Sequence, residues 1–395
     1  MDFNIILAIA FILFLIIFTI IKRKSVVLQK VLWPVVYVIM WKTGFGLKLM
    51  DRWGKKYKGL IQLLGQASIG LAFLGMAYIS ISILIVIFKM ITAPESIQGG
   101  FALVLPFTNI PGVGYLPFTY WIIAIFVLAV VHEFSHGVMA RAYDVPVQSS
   151  GFAIFSIIAP IIPAAFVEPD EKVLQKRDEV TQNSVFAAGP ISNVALGFVF
   201  LLIMMFVFAP IEARITEPTG FIMTPNDPEM PAAKAGMPDK FLVTNFNGEE
   251  TADANKFMEQ MYYCTAPGDE ITVGNKNQSF TFTAVPRPED PNKGIIGVST
   301  FENQRDVKPQ YAMWKAPFYW FKGLFKWLFL LNLFIGLANL LPLGIVDGGR
   351  MLQIALKKIM KNEKHANKIW GMISFLFIGL IVLGLVLQYV GNPFG

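Results

Sequence analysis

Ala129-Val130-Val131-His132-Glu133-Phe134-Ser135-His136-Gly137 reads HExxH and closes the apolar run at residues 120–140. On a helix, residues four apart share a face. His132 and His136 can therefore offer two imidazole nitrogens to one zinc ion. Glu133 stands beside them, placed to take a proton from water at the metal. Histidine is scarce, and two of the three in 395 residues fall in this motif. That separates it from a chance HExxH on a membrane or soluble helix. An ionisable group inside an apolar span is costly and marks a functional position.

Around this stretch the chain is 55% hydrophobic and only 15% charged, where a soluble protein carries about 25% charge. Several runs approach or exceed the ~18 apolar residues of a membrane span. A multi-pass membrane protein is expected, with the lipid bilayer as its surroundings. The single cysteine, Cys264, excludes an internal disulfide and any cysteine-built zinc or iron–sulfur site. The net charge of +6 is concentrated in loops, and nothing points to nucleic acid.

Residues 3–21 form the first apolar run, with positive charges after it instead of before it, so it reads as a retained span. Residues 22–68 hold ten Lys/Arg and one acid, Asp51. By the positive-inside rule this loop is cytoplasmic and the N-terminus lies outside. Within it, residues 31–41 are too short to span and contain Pro34, which predicts an interfacial segment. Residues 69–88 run outward, and residues 91–117, rich in Gly and Pro, predict an irregular or hairpin outer segment. Residues 118–140 run inward. His132 then lies nine residues before Arg141, roughly 13 Å along a helix, inside the membrane and nearer the cytoplasm. Residues 145–166 are apolar but broken by Pro160 and Pro163 and read as extended. Such backbone near a membrane needs cover from protein or a cavity, which predicts a re-entrant sheet beside the site, the alternative being a surface hairpin. Residues 168–179 are charged.

Residues 184–209 run outward and hold Asn193, a side chain of the kind that ties membrane helices together. Residues 210–316 carry fifteen acids and ten bases and form a water-soluble insertion on the outer face. A helix is expected over 252–261 and a hairpin over 271–285, turning at 274–277. Residues 317–345 run inward again. Residues 350–368 carry six Lys/Arg and one acid, Glu363, and are cytoplasmic. Residues 369–390 form the last span, leaving residues 391–395 outside. The divisions are therefore 1–115, 116–209, 210–316, 317–350 and 351–395.

A catalytic zinc site uses three protein ligands and keeps one position open. The third histidine, His365, falls among lysines in a cytoplasmic loop and reads as solvated. Asp347 follows the inward fifth span and so lies on the side of His132 and His136. Its neighbours Gly348 and Gly349 permit close backbone approach. It is the best candidate, the alternative being a helix cap at the membrane edge.

HExxH on one span, with Asn339-Leu340-Leu341-Pro342 and then Asp347-Gly348-Gly349 on a later one, resembles the site-2 protease family. These are intramembrane zinc metalloproteases of the M50-like type. Ala164-Ala165-Phe166-Val167-Glu168-Pro169 and Phe186-Ala187-Ala188-Gly189-Pro190-Ile191-Ser192-Asn193 are similar to stretches of its archaeal and bacterial members. The resemblance covers the chain from the third span to Arg350. It implies one zinc per chain held by His132, His136 and Asp347, Glu133 as general base, and Asn193 near the site, helping to stabilise the oxyanion. The stretch from Gly220-Phe221-Ile222 through Pro231–Met237 to residues 243–248 resembles a PDZ domain. Pro238-Asp239-Lys240 departs from the usual Gly-Asp there, which puts a standard peptide groove in doubt.

The implied fold is a multi-pass α-helical membrane protein of about six transmembrane helices. It has an inserted α+β PDZ-like domain, extracytoplasmic, and a re-entrant β segment. The implied activity is hydrolysis of peptide bonds within transmembrane segments of other proteins. A helical substrate hides its amides, so part of it must unwind, and a strand within residues 147–158 is expected to receive it by strand addition. A catalytically silent membrane scaffold or chaperone with a PDZ-like domain is the alternative, although all four key positions are intact. A transporter would need inverted repeats, and the sequence has none. No oligomeric state is specified.

Overall fold

Apolar length dominates the architecture. The computed structural model describes residues 2–32, 36–93, 100–157, 159–360 and 362–390. Among them six helices are long and apolar enough to cross a membrane: Phe3–Ile21, Lys58–Thr92, Phe118–Ala142, Glu179–Ile215, Pro309–Ala338 and Glu363–Val390. The expected outer C-terminus, residues 391–395, lies outside the described residues. The chain divides into two units, Met1–Met204 with Phe321–Gly395, and Met205–Trp320.

The first unit opens with α1 (Phe3–Ile21), whose first turn is capped by the Asp2 carboxylate accepting from the Asn4 N–H. Strands β1 (Val26–Leu32) and β2 (Val36–Thr43) follow. The interfacial segment expected at residues 31–41 is thus largely extended, with residues 33–35 outside the description. A short apolar run does not reveal its own period; β2 is fixed as a strand by a partner more than a hundred residues away. Next come α2 (Leu47–Lys56), α3 (Lys58–Thr92) and a small hairpin, β3 (Asn109–Ile110) with β4 (Gly114–Tyr115). Residues 94–99 of the expected outer segment are not described.

The HExxH helix is α4 (Phe118–Ala142). After it, β5 (Val147–Ile157) and β6 (Ala159–Pro169) complete an antiparallel sheet of order β1-β2-β5-β6. This corrects the expected docking strand. β5 is paired with β2 on one side and β6 on the other, so it has no edge to give. Ile158 lies outside the described residues; the edge strands of the sheet are β1 and β6, and β6 is the one that lines the pocket beside His132 and His136. A short helix, α5 (Glu171–Leu174), leads to α6 (Glu179–Ile203), which carries Pro190 internally.

The second unit holds a π-helical turn (Met204–Phe208), nearly all of it within the unit, then α7 (Ala209–Ile215), β7 (Thr216–Pro225), α8 (Pro231–Lys234), β8 (Phe241–Val243), β9 (Asn245–Phe246), β10 (Glu249–Glu250) and α9 (Ala254–Tyr263). There follow β11 (Glu270–Gly274), β12 (Ser279–Thr283), β13 (Val285–Arg287), β14 (Asp290–Ile295) and β15 (Val298–Val307). The expected helix and hairpin are α9 and β11–β12. Its core gathers Phe221, Met223, Phe257, Ile271, Val273 and Ile296, all essentially buried. β7 lies between β15 and β8, with both edges filled.

The chain returns to the first unit in α10 (Lys315–Ala338), then α11 (Asp347–Met360) and α12 (Glu363–Val390). Small residues let α6 and α10 approach closely. A β-carbon on Gly336 would stand 3.1 Å from the Pro190 carbonyl oxygen, and one on Gly197 3.2 Å from the Leu333 amide. Arg141–Asp51, Lys58–Asp144, Arg350–Glu171 and Lys358–Glu179 ion pairs tie the polar loops together. The last three are largely exposed and add little stability, whereas the facing atoms of Arg141 and Asp51 are buried.

Candidate metal centre

Three side chains from two distant helices converge. His132 Nε2 and His136 Nε2 are 3.1 Å apart, and Asp347 Oδ2 lies 3.2 Å from the first and 3.4 Å from the second. Both imidazoles are buried. Among the described residues this is the one His/Cys/Asp/Glu group drawn tight enough to hold a metal ion.

The donor set fits a cation. His136 Nδ1 faces the Val185 carbonyl oxygen at 2.6 Å, so Nδ1 carries the hydrogen and Nε2 the lone pair. Pro190, in the next turn of α6, withdraws an N–H from the helical ladder near this carbonyl. Three acceptors aimed at one point repel one another unless positive charge lies between them. Ligand arms of ~2.0–2.1 Å in tetrahedral geometry give ligand–ligand edges of about 3.3 Å. The three observed separations match one face of such a tetrahedron.

His132 is set by Asn193, whose amide lies 3.1 Å from Nδ1. Asn193 is fully buried, and its Oδ1 has no hydrogen-bond partner. The two ends of an amide have the same shape. Exchanging them lets Oδ1 accept from His132 Nδ1–H and leaves the lone pair on Nε2. The resemblance implied that Asn193 lies near the site and helps to stabilise the oxyanion; in the structure its amide contacts His132 Nδ1, on the far side of that imidazole from Asp347. Asn193→Ala is expected to weaken metal affinity by about 10–100-fold, as loss of such partners does elsewhere. Competition with a chelator measures this, and unchanged affinity would remove Asn193 from the centre.

Space is as tight as polarity. A β-carbon on Gly189 would stand 2.7 Å from His132 Nε2 and closer still to His136 Nε2. Asp347 is delivered by residues 339–346, where the chain leaves α10 and turns back. The Gly348 N–H donates to the Asn339 carbonyl at 2.8 Å, and Trp370 Nε1 donates to the Gly349 carbonyl at 2.8 Å. A β-carbon on either glycine would collide with main-chain atoms, of Leu340 and Leu341 at Gly348 and of Leu343 and Gly344 at Gly349. Only glycine lets the chain return this closely.

Glu133 extends to strand β6, where its Oε2 accepts the Val167 N–H at 2.9 Å. Sequence reasoning missed this partner because a main-chain group has no residue signature. A pocket of about 1000 Å³ opens beside the three converging side chains, lined also by Glu133, Val167, Glu168, Lys172 and Arg350. Burial pushes the Glu168 carboxyl up, but hydrogen bonds from Lys42 and Ser149 more than offset this and hold it below its ordinary value. A second cavity, about 420 Å³ and apolar, lies between α1, α4 and the sheet against Phe11, Phe18, Trp41, Phe126 and Ala165. His365 is exposed at the start of α12 and takes no part.

Comparison with known proteins points the same way. The model of the family described as "Peptidase family M50" matches residues 120–381, about two thirds of the chain. The uncharacterized protein MJ0971 of Methanocaldococcus jannaschii is 23% identical over 350 residues, covering 87% of this chain and 84% of that one.

Proposed function

The chain belongs to peptidase family M50, and from that premise we propose that it is a zinc-dependent protease cutting transmembrane segments of other membrane proteins. The observation that carries this reading is the His132, His136 and Asp347 triangle beside Glu133, on membrane-length helices. His132, His136 and Asp347 would hold the ion. When bound, zinc supplies a Lewis acid for the scissile carbonyl and for the attacking water.

The protein's own groups do the rest. Glu133 takes the proton of the attacking water and passes it to the leaving amine. Val185 and Asn193 keep both ligand imidazoles in the tautomer that presents Nε2. The large polar pocket admits water at the end of the unit bearing the ion-paired loops. We read that end as cytoplasmic, from the basic loops, which puts residues 210–316 outside the cell. The unwound substrate pairs with the free edge of β6, and the apolar cavity beside it receives apolar substrate side chains.

We read the second unit as PDZ-like from the order of β7, α8, β8 and α9 and the Pro231–Met237 stretch. Its β7 already has a strand on either edge, so a peptide added to β7 would first have to displace β15. This agrees with the altered Pro238-Asp239-Lys240 turn.

Purified full-length protein, assayed for metal and incubated with a labelled single-span peptide, tests the reading. One zinc per chain and a cut within the apolar segment are expected. A metal-loaded protein that leaves several such peptides whole would favour the silent scaffold.

A further inference from the structure

Helix α2 divides lengthwise into three arcs. With 3.6 residues per turn, Leu47, Met50, Asp51 and Gly54 share one side, where Met50 and Gly54 are buried. Lys48, Arg52, Lys55 and Lys56 fill the next arc, and Leu49 and Trp53 the third; all six are exposed. Exposed Phe45 and Tyr57 adjoin the helix at either end. The one acid of the helix, Asp51, is engaged by Arg141 of α4 at 2.8 Å. Lys48 and Arg52 meet no acid within ion-pair distance among the described residues.

A row of unpaired cations beside exposed Leu and Trp is the pattern of a helix lying in the headgroup layer. The surroundings of α2 agree. Membrane-length α3 starts at Lys58, two residues after α2 ends, and α2 packs on the last turns of membrane-length α4. A β-carbon on Gly54 would stand 2.7 Å from Arg141 Cβ and 3.1 Å from the Val138 carbonyl oxygen. The same packing reaches the metal-binding turns. A β-carbon on Gly137, next to His136, would stand 2.5 Å from Met50 Sδ. Trp53 meets Phe134, next to Glu133, edge to face with ring centroids 5.5 Å apart. One tryptophan thus touches both the HExxH helix and the surroundings of the protein.

We propose that α2 is a docking surface for anionic lipid headgroups. Its basic arc takes the lipid phosphates, and Leu49 and Trp53 sit beside the acyl chains. Met50 and Trp53 are positioning residues that pass this hold to the turns of α4 bearing His132, Glu133 and His136, so cleavage depends on anionic lipid. The lipid surface stands on its own geometry; its effect on cleavage rests on the protease reading.

Full-length protein in bilayer discs of phosphatidylcholine, with and without phosphatidylglycerol, tests both parts. Bromine on the acyl chains of either lipid quenches nearby tryptophans, and subtracting the Trp53→Phe signal isolates Trp53 among the eight. Brominated phosphatidylglycerol is expected to be enriched at Trp53 about fivefold or more over brominated phosphatidylcholine, the factor that one cation near an anionic surface supplies. The enrichment should vanish in Lys48→Gln with Arg52→Gln and in high salt, and persist in Lys48→Arg with Arg52→Lys. Equal quenching by both lipids, or none by either, overturns the lipid surface. Cleavage of the labelled single-span peptide should rise with phosphatidylglycerol in wild type and not in the doubly neutralised variant. A wild-type rate that ignores the lipid overturns the coupling. Enrichment at Trp53 in a protein that cuts no peptide in either bilayer upholds the lipid surface and sinks the protease reading instead.

Discussion

Glu133→Gln is expected to keep its zinc and to lose cleavage by a factor on the order of 10²–10⁴, the usual worth of a general base. Glutamine has the size of glutamate and can still accept the Val167 N–H through its amide oxygen. The variant thus leaves strand β6 and the three ligands undisturbed and removes only the capacity to take a proton. Zinc content and cleavage rate of the labelled single-span peptide, measured on one preparation, separate the two effects. Wild-type turnover in the variant would remove Glu133 from the proton path. Loss of the metal would show that the carboxylate also supports the ligand geometry.

Asp347→Ala should act on the other half of the chemistry, cutting zinc content to under about one tenth of wild type after dialysis. Catalytic sites of this kind need three protein ligands, and the histidines alone supply two. Without the carboxylate, two imidazoles 3.1 Å apart remain, and the neighbouring Glu133 carboxylate is held by the Val167 N–H instead of completing the triangle. The substitution sits at the first residue of α11, an exposed-to-buried boundary, and Gly348 and Gly349 still make the close return. The fold should survive, as a thermal melt of the metal-free forms would show. Full zinc stoichiometry in Asp347→Ala would mean that another group completes the set.

How much of this was legible depends on how local each signal is. His132, Glu133 and His136 declared themselves because four-residue spacing is a property of one helix. Asp347 was readable from its glycines, which announce a close backbone approach before any contact is known. The secondary structure of residues 31–41 was not legible because an apolar run of that length carries no decisive period, and the strand character of β2 comes from pairing with β5 across more than a hundred residues. The same pairing moved the free edge from β5 to β6. Asn193 was visible as a polar residue in a span, but its direction toward His132 depends on how α6 packs on α4. Gly189 lay in a stretch quoted for its resemblance alone, and its reason appears only where the imidazoles fill the space its β-carbon would take.

His136 and Asp347 are separated by more than two hundred residues. At about 5–20 residues per second, a ribosome needs roughly 10–40 s to travel between them. Throughout that interval the nascent polypeptide displays its imidazoles with nothing to complete them. Under the proposed scheme a truncated product ending before α11 would be inert, and newly inserted neighbours would be spared a hydrolase that has not finished being made.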